Sequence, residues 1–248
     1  MHRFYLPPEQ CGQTVLTLTG AEAHHAVRVL RLVRGDAVTV LNGAGGEFRC
    51  RVQEALREVV MLDVLEKHVL PAPPAAITLI QALPKGKIME SIIEKATELG
   101  ASRVVPLLAE RVVSRLDARE AAHKAEKWQA TAVAAIKQSG SAWLPRIEVP
   151  VTPKEFVSRQ ERFELPLIAS LGPGTRHAAD YFDGFRARHQ RQPGTVGIWV
   201  GPEGDFTPEE LDLAQAAGAQ PITLGPLVLR VETAATYCLS ILNHELRR

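Results

Sequence analysis

The sequence contains few cysteines, no long apolar run and almost no net charge. Its three cysteines, Cys11, Cys50 and Cys238, lie far apart without a CxxC pair, which argues against a zinc site and is typical of a reducing compartment. No apolar run is long enough to cross a bilayer, and the N-terminus lacks the apolar region of a signal peptide. We therefore predict a cytoplasmic protein with no membrane partner and no metal ion.

Motifs of several nucleotide-binding classes are also missing. A Rossmann-type dehydrogenase, or a methyltransferase of the common class, needs a glycine-rich turn between an early strand and a helix. The glycine-rich stretch at residues 43–46 lies instead in a predicted hairpin with no helix behind it, and no Walker A sequence is present. The net charge of +1 provides no global attraction to nucleic acid, so any RNA contact must depend on local charge.

The sequence pattern changes at the proline-rich residues 71–74, where we place a domain boundary. Beyond it, apolar strands alternate with helices, which predicts an α/β domain with a parallel sheet at residues 71–248. Before it, at residues 1–70, short segments alternate in polarity as β-strands do, and Asn42-Gly43 is a hairpin signal. These predicted strands are residues 14–18, 37–41, 47–53 and 59–65.

One helix interrupts the N-terminal strands. Thr19 and Glu22 have the spacing of a capping box at its start. The basic side chains that follow are, taken singly, typical of a solvated helix face, but as a set they predict a surface that contacts phosphates. We assign this role to His25, Arg28 and Arg31.

The α/β domain begins with a strand-helix-strand unit at residues 76–108, in which Gly100 ends the helix. Lys85 and Lys87 lie in the turn after the first strand, where they either touch phosphate or are ordinary surface lysines. A long alanine-rich helix at residues 119–140 follows. At the end of this helix, Gln138 and Ser139 either read a base edge or cap the helix. A strand at residues 165–171 follows and ends in Gly172-Pro-Gly.

Two glycine-proline loops near the C-terminus are the most informative part of the chain. The first follows a strand at residues 195–200; Gly201 and Gly204 permit close approach of a ligand or a positive φ, and Pro202 stiffens the path. Glu203 is flanked by these glycines, and a capping box follows at residues 207–210. An ordinary strand-turn-helix joint is the alternative interpretation. Loops at the carboxyl ends of parallel strands converge, so we place the active site there.

The second loop leads into the final helix and carries Arg230, Glu232 and Thr233. Arg230 and Glu232 either form a surface ion pair with Thr233 as the N-cap, or they serve a ligand. An arginine enclosed between Leu229 and Val231 is costly to leave without a partner, which favours a ligand.

Four motifs in this order resemble one family. They are H-x-x-x-V-L-R-L-x-x-G-D at residues 25–36, QALPKGKIMESIIEKATELG at 81–100, GPEGDF at 201–206 and LGPLVLRVETA at 224–234. The chain is similar over nearly its whole length to the bacterial small-subunit ribosomal RNA uridine N3-methyltransferases of the SPOUT superfamily. The resemblance implies a PUA-like β-barrel that binds RNA at residues 1–70 and a SPOUT domain with a trefoil knot at residues 71–248.

The same resemblance implies the chemistry and the partners. S-adenosylmethionine is expected to bind in the knot and to donate a methyl group to N3 of a uridine in the decoding region of 16S ribosomal RNA. Arg230 is expected to stabilise the developing uridinate, with Glu232 orienting it, and the protein is expected to form a homodimer. The residues assigned to the cofactor are Leu171, Gly172, Val200, Gly201, Pro202, Glu203, Gly204, Leu224, Gly225, Leu229, Arg230, Thr233 and Ala234.

The sequence departs from the family at two positions in these loops. Asp205 stands where the family commonly has glycine, and Leu227 stands where many members have arginine, which leaves Arg230 with more of the catalytic burden. Two other functions remain open: a non-catalytic RNA-binding factor in ribosome assembly, and a SPOUT methyltransferase that acts on another RNA.

Overall fold

The computed structural model describes residues 1–111 and 116–248, which form two compact units. The first comprises Met1–Ala72 with Val133–Leu144, and the second comprises Pro73–Ala132 with Pro145–Arg248. Each unit uses two stretches of chain because a long helix contributes its early turns to the second unit and its last turns to the first. Within the described ranges, no helix is long and apolar enough to span a bilayer.

The first unit is built on a five-stranded sheet curled into half a barrel. Its strands are β1 (His2–Tyr5), β2 (Val15–Thr19), β3 (Ala37–Leu41), β4 (Gly46–Ala55) and β5 (Val59–Val69). The order is β1-β3-β4-β5-β2, in which β1 runs parallel to β3 and the other neighbours are antiparallel. Along β4 buried and more exposed residues alternate, so one face packs into a core with Phe4, Phe48 and Leu62.

The β3–β4 hairpin turns where the sequence predicts it. The Asn42 side-chain oxygen accepts hydrogen bonds from the backbone nitrogens of Ala44 at 2.9 Å and Gly46 at 2.7 Å. Gly43 and Gly45 have positive φ angles of 71° and 87°, which glycine adopts at little cost. The hairpin prediction is confirmed, and the asparagine satisfies the donors of the turn.

The helix after Thr19 is present but less regular than expected. Helix α1 (Gly20–His24) continues as a π-type turn over His25–Val29. The predicted capping box is wrong, since the Thr19 hydroxyl makes no capping hydrogen bond. The Glu22 carboxylate instead accepts a 2.6 Å hydrogen bond from the ammonium group of Lys137. Glu22 therefore fixes α1 to the end of the long helix within the first unit.

The second unit is built on a six-stranded sheet in which every neighbouring pair is parallel, which confirms the predicted α/β class. Its strands are β6 (Ala76–Ala82), β7 (Arg103–Leu107), β8 (Arg146–Ile147), β9 (Leu165–Ala169), β10 (Thr195–Val200) and β11 (Gln220–Ile222), in the order β11-β9-β10-β6-β7-β8. The helices are α2 (Ile88–Glu98), α3 (Ala118–Ser139), α4 (Pro153–Ser158), α5 (Ala178–His189), α6 (Pro208–Ala216) and α7 (Val231–Leu246).

The central strands β6 and β10 are buried along almost their whole length, as strands covered on both faces are. On one face, Ile80 and Trp199 pack with Phe156 of α4 and Ala214 of α6. Helices α2 and α7 pack against each other, and α7 also packs on β6 and β10. This arrangement places the start of α7 beside the carboxyl ends of the central strands.

The sequence prediction overlooked β1, β8, α4 and α5, although α4 begins with a capping box formed by Thr152 and Glu155. Strand β8 has only two residues, and α5 buries only Ala178 and Phe182. Strand β9 is shorter than predicted, because it ends at Ala169 rather than at Leu171. The residues lost from it lie in a loop at the carboxyl edge of the sheet.

Four charged side chains form a network beside the start of β7. Arg103 donates hydrogen bonds to Glu148 at 3.2 Å and to Glu161, and Arg159 donates to the other oxygen of Glu148 at 2.7 Å. Burial alone would raise the pKa of the Glu161 carboxyl, but hydrogen bonds and charge from Arg103 and Arg159 outweigh it and lower the pKa. Glu148 is 8% exposed, so its removal would leave two partly buried guanidinium groups short of a partner.

We predict that Glu148→Gln lowers the free energy of unfolding by about 2 kcal/mol, less than for a fully buried pair because both arginines keep some contact with water. Urea unfolding followed by tryptophan fluorescence measures this change. Glu98→Gln is the matched control, because Glu98 pairs with Lys95 at the surface, and we expect a loss below about 0.5 kcal/mol. Equal losses in the two variants would contradict the role of the network.

Candidate functional site

Three loops meet at the carboxyl edge of the parallel sheet. They follow β9, β10 and β11, and the third runs into the first turn of α7. Together they line a pocket of about 540 Å³, a volume that includes open solvent at its mouth. The predicted residues that line it are Leu171, Val200, Gly201, Pro202, Glu203, Leu224, Leu229 and Ala234.

The residues that line the pocket differ from the predicted site residues in two ways. Six residues that were assigned to the site do not line it: Gly172, Gly204, Gly225, Arg230, Glu232 and Thr233. Six others line it without having been assigned to it: Ala169, Ser170, Asp205, Leu227, Val228 and Val231. The signal for the second group was their position, since each lies within two residues of a predicted lining residue. Which side chains of a loop point inward cannot be read from spacing alone.

The loop after β10 is a tight turn, closed by a 2.9 Å hydrogen bond from the backbone nitrogen of Asp205 to the carbonyl oxygen of Pro202. Asp205 has a φ of 60°, in the left-handed region that glycine adopts most readily. Its carboxylate accepts a 2.8 Å hydrogen bond from the backbone nitrogen of Phe206. A β-carbon at Gly201 would lie 2.9 Å from Asp205 Oδ1 and 3.3 Å from the backbone nitrogen of Phe206, so a larger residue at 201 would displace the Asp205 carboxylate.

Contacts from neighbouring loops hold the β10 loop in place. The backbone nitrogen of Lys85, after β6, donates a 2.9 Å hydrogen bond to Glu203 Oε1. The guanidinium group of Arg111, after β7, donates to the carbonyl oxygen of Gly204. Glu203 therefore both lines the pocket and fixes the loop that carries the two predicted lysines.

The start of α6 adds a further connection. Thr207 Oγ1 accepts a hydrogen bond from the backbone nitrogen of Glu210, and Glu210 Oε2 accepts one from the backbone nitrogen of Thr207, which confirms the predicted capping box. Glu210 Oε1 accepts a 2.8 Å hydrogen bond from the backbone nitrogen of Glu110. One carboxylate thus caps a helix and anchors the chain after β7.

Arg230 is the residue immediately before α7 and is its N-cap, with φ −64° and ψ 151°. Its side chain is exposed, so the expectation that Leu229 and Val231 enclose it is wrong. The alternative with Thr233 as the N-cap is also wrong, because the helix begins at Val231 and Thr233 lies inside its first turn. Glu232 also lies in that first turn, where the helix dipole favours a negative charge. The guanidinium group of Arg230 therefore lies in solvent beside the pocket rather than in its wall.

The residues predicted to contact RNA lie in both units. In the second unit, Lys85 and Lys87 are exposed around Gly86, which has a φ of 67°, at the same edge of the sheet as the pocket. In the first unit, Gln138 and Ser139 are exposed at the end of α3. The Ser139 hydroxyl donates a 2.8 Å hydrogen bond to the carbonyl oxygen of Ala135, as expected for a serine that closes a helix.

The predicted basic surface of the first unit is partly exposed. Arg28 lines a cleft together with His24 and Arg57, a residue that the sequence analysis did not assign. His25 is half-buried, with its ring 6.1 Å from that of Phe4 in an edge-on arrangement. Arg31 is exposed. The cleft could not be predicted because Arg57 lies on another segment of the chain.

The cysteines do not contribute a nucleophile. Burial raises the pKa of both the Cys50 and the Cys238 thiol to about 12, so neither forms a thiolate near neutral pH. In the part of the chain that the structure describes, no three His, Cys, Asp or Glu side chains are grouped as metal ligands.

Comparison with known proteins connects both units to RNA modification. The family described as "RNA methyltransferase domain" matches residues 71–243, and the "RNA methyltransferase PUA domain" matches residues 18–58. A Synechocystis relative, named ribosomal RNA small subunit methyltransferase E, is 36% identical over 98% of this chain and 77% of its own length.

Two solved structures are also similar. A Legionella pneumophila protein, described as a methyltransferase in complex with its bound cofactor SAM, has 33% identity and a TM-score of 0.86, covering 98% of this chain and 96% of its own. The ribosomal RNA small subunit methyltransferase E of Neisseria gonorrhoeae, bound to S-adenosyl methionine, has 26% identity and a TM-score of 0.85, covering 98% and 97%. With one family description matching well over half of its residues, the chain belongs to the RNA methyltransferase family and carries that family's PUA domain near its N-terminus.

Proposed function

We propose that this protein is an S-adenosylmethionine-dependent methyltransferase that modifies the RNA of the small ribosomal subunit. The observation that carries this proposal is the pocket formed by three neighbouring loops of a parallel sheet, inside the region that matches the methyltransferase family. The names of the relatives and the cofactor bound to the similar structures support it. We propose further that the product is N3-methyluridine in the decoding region of 16S ribosomal RNA.

The residues of the pocket suit this cofactor. Val200, Leu224 and Leu229 provide apolar walls, and among the described residues that line the pocket the only charged ones are the acidic Glu203 and Asp205. Acidic side chains favour a ligand that carries positive charge. When bound, S-adenosylmethionine supplies a positively charged sulfonium centre and its transferable methyl group.

We assign the electrostatic role in the reaction to Arg230, which lies next to the pocket residues Leu229 and Val231 in the chain. The N3–H group of uridine is a weak acid, so negative charge develops on the base as N3 becomes a nucleophile. We assign the stabilisation of that charge to the exposed guanidinium group of Arg230 and the orienting role to Glu232, two residues along the chain in the first turn of α7. A base must leave its stack to reach such a site, so the target uridine is single-stranded or extruded.

We assign separate tasks to the two domains. Residues 1–70 bind RNA through His25, Arg28 and Arg31, and residues 71–248 hold the cofactor in a trefoil knot. Lys85, Lys87, Gln138 and Ser139 add contacts to RNA. We place the enzyme in the cytoplasm, where the small subunit is assembled.

We also propose a homodimer that forms around the pocket. Leu227 and Val228 are 71% and 78% exposed, and Leu171 and Tyr237 are exposed as well. Large apolar side chains grouped at a pocket rim are typical of a surface that a protein partner covers. A second copy of the chain would bury them and narrow the open side of the pocket.

The first prediction concerns the product. Mass mapping of 16S ribosomal RNA should find one methylated uridine in the decoding region of cells with this protein and an unmodified base in cells without it. Reverse transcription supplies an independent reading, because a methyl group at N3 blocks base pairing. An unchanged methylation pattern in cells without the protein would contradict the proposed substrate.

The second prediction concerns Arg230. Arg230→Ala should reduce kcat at least about 100-fold, because it removes a cation that acts on charge developing in the transition state. The Kd values for cofactor and RNA should stay within about threefold of wild type. Arg247→Ala is the matched control, since Arg247 is an exposed arginine at the other end of α7, and it should retain full activity. Wild-type turnover in Arg230→Ala would remove this residue from the mechanism.

The third prediction concerns assembly. Light scattering should give the wild-type protein twice the chain mass of 27.1 kDa. The double variant Leu227→Asp, Val228→Asp should give the mass of one chain, because two carboxylates would be buried in the interface. Val149→Asp, at another exposed apolar side chain of the second unit, should remain dimeric. A monomeric wild-type protein at micromolar concentration would contradict the proposed dimer.

A further inference from the structure

The peptide group that joins Gly204 to Asp205 is hydrogen-bonded at both ends. Its carbonyl oxygen accepts a hydrogen bond from the guanidinium group of Arg111, and its nitrogen donates the 2.9 Å hydrogen bond to the Pro202 carbonyl oxygen that closes the β10 loop. The stem of Arg111 also lies against this turn, since a β-carbon at Gly204 would be 3.4 Å from Arg111 Cδ. A residue from the loop after β7 therefore holds the turn.

Asp205 needs such support because of its backbone conformation. Its φ of 60° lies in the left-handed region, which costs an aspartate more free energy than it costs a glycine. Rotation of the Gly204–Asp205 peptide group would move Asp205 out of this region, but it would also break the hydrogen bonds at both ends of that group. A conformation of this kind persists only where the surrounding structure fixes it.

The turn forms part of the pocket wall. Glu203 and Asp205, on either side of Gly204, both line the pocket. A second contact joins the same two loops, because the backbone nitrogen of Glu110 donates a 2.8 Å hydrogen bond to Glu210 Oε1 at the start of α6. The chain after β7 is thus attached to both ends of the segment that carries the acidic residues of the pocket.

We propose that Arg111 is a positioning residue for the cofactor site, an inference that rests on the proposed function. Its guanidinium group keeps the Gly204–Asp205 peptide group in one orientation, and it thereby fixes the part of the pocket wall that carries the carboxylates of Glu203 and Asp205. Arg111 acts through this turn and does not touch the cofactor. If the turn were only partly in this conformation, the affinity for the cofactor would fall in proportion to the competent fraction.

Arg111→Met and Arg111→Lys form a matched pair of variants. Both keep an unbranched stem over Gly204, but only lysine keeps a charged donor for the carbonyl oxygen. In isothermal titration calorimetry, Arg111→Met should raise the Kd for S-adenosylmethionine about fivefold, the effect of losing one exposed hydrogen bond from a charged donor. Arg111→Lys should stay within about twofold of wild type. At saturating cofactor, the kcat of Arg111→Met should also stay within about twofold, because the bound ligand then holds the turn.

A double-mutant cycle tests whether the effect acts through Asp205. Glycine adopts the left-handed conformation at little cost, so the turn depends less on Arg111 when residue 205 is glycine. In an Asp205→Gly background, the change Arg111→Met should therefore raise the Kd less than about twofold.

Arg191→Met is the control for the loss of a guanidinium group from the surface of the second unit. Arg191 is also exposed, and it donates a 3.0 Å hydrogen bond to the carbonyl oxygen of Gln192. Because neither residue lines the pocket, the Kd of this variant should equal that of wild type.

The outcomes separate the inference from the proposed function. If the wild-type protein does not bind the cofactor, the proposed function fails and the role of Arg111 fails with it. If wild type binds and Arg111→Met binds equally well, only the role of Arg111 is overturned. Equal rises in Kd in the two backgrounds would also overturn it, because Arg111 would then act without Asp205. A loss of RNA affinity with an unchanged cofactor Kd would overturn it by making Arg111 an RNA contact.

Discussion

The parallel pairing of β9 with both β10 and β11 is the constraint on which the functional site depends. Parallel strands send their carboxyl ends to one edge of a sheet, so the loops after these three strands meet there. Each loop alone is an ordinary connection. Their meeting produces a pocket with apolar walls, beginning at Val200, the last residue of the buried strand β10.

The local sequence predicted the features that depend on neighbouring residues. The capping box at Thr207, the hairpin at Asn42 and the βαβ unit each follow from residues a few positions apart, and all are present. Contacts between distant segments could not be predicted. The hydrogen bond from Lys85 to Glu203 joins residues 118 positions apart, and no pattern in either segment indicates it.

The solvent exposure of the Arg230 side chain also could not be predicted from the local sequence. In the sequence, Arg230 lies between two apolar residues. This position suggests a buried side chain if the backbone conformation is regular there. The chain instead is extended at Arg230 and becomes helical at Val231, so successive side chains point in unrelated directions. The Arg230 side chain therefore faces solvent, where a large substrate can reach it. The Thr19 capping box depended on a distant contact as well: Glu22 pairs with Lys137, 115 positions away, instead of closing the box.

The two departures from the family pattern have different consequences. Asp205 keeps the left-handed backbone conformation that a glycine would adopt, and it adds a carboxylate to the pocket. Leu227, at a position where the resemblance leads us to expect an arginine, is an exposed apolar side chain of the pocket. Together they leave the pocket acidic within and apolar at its mouth. Positive charge comes instead from Arg230 and from Lys85 and Lys87 on the loop that Glu203 holds.

The most direct test of the central claim is a crystal structure of the protein with S-adenosylhomocysteine, the demethylated product of the cofactor. Our account predicts density for this molecule between the loops after β9, β10 and β11, in contact with Val200 and Leu229. An empty pocket with the molecule bound elsewhere on the protein would contradict it.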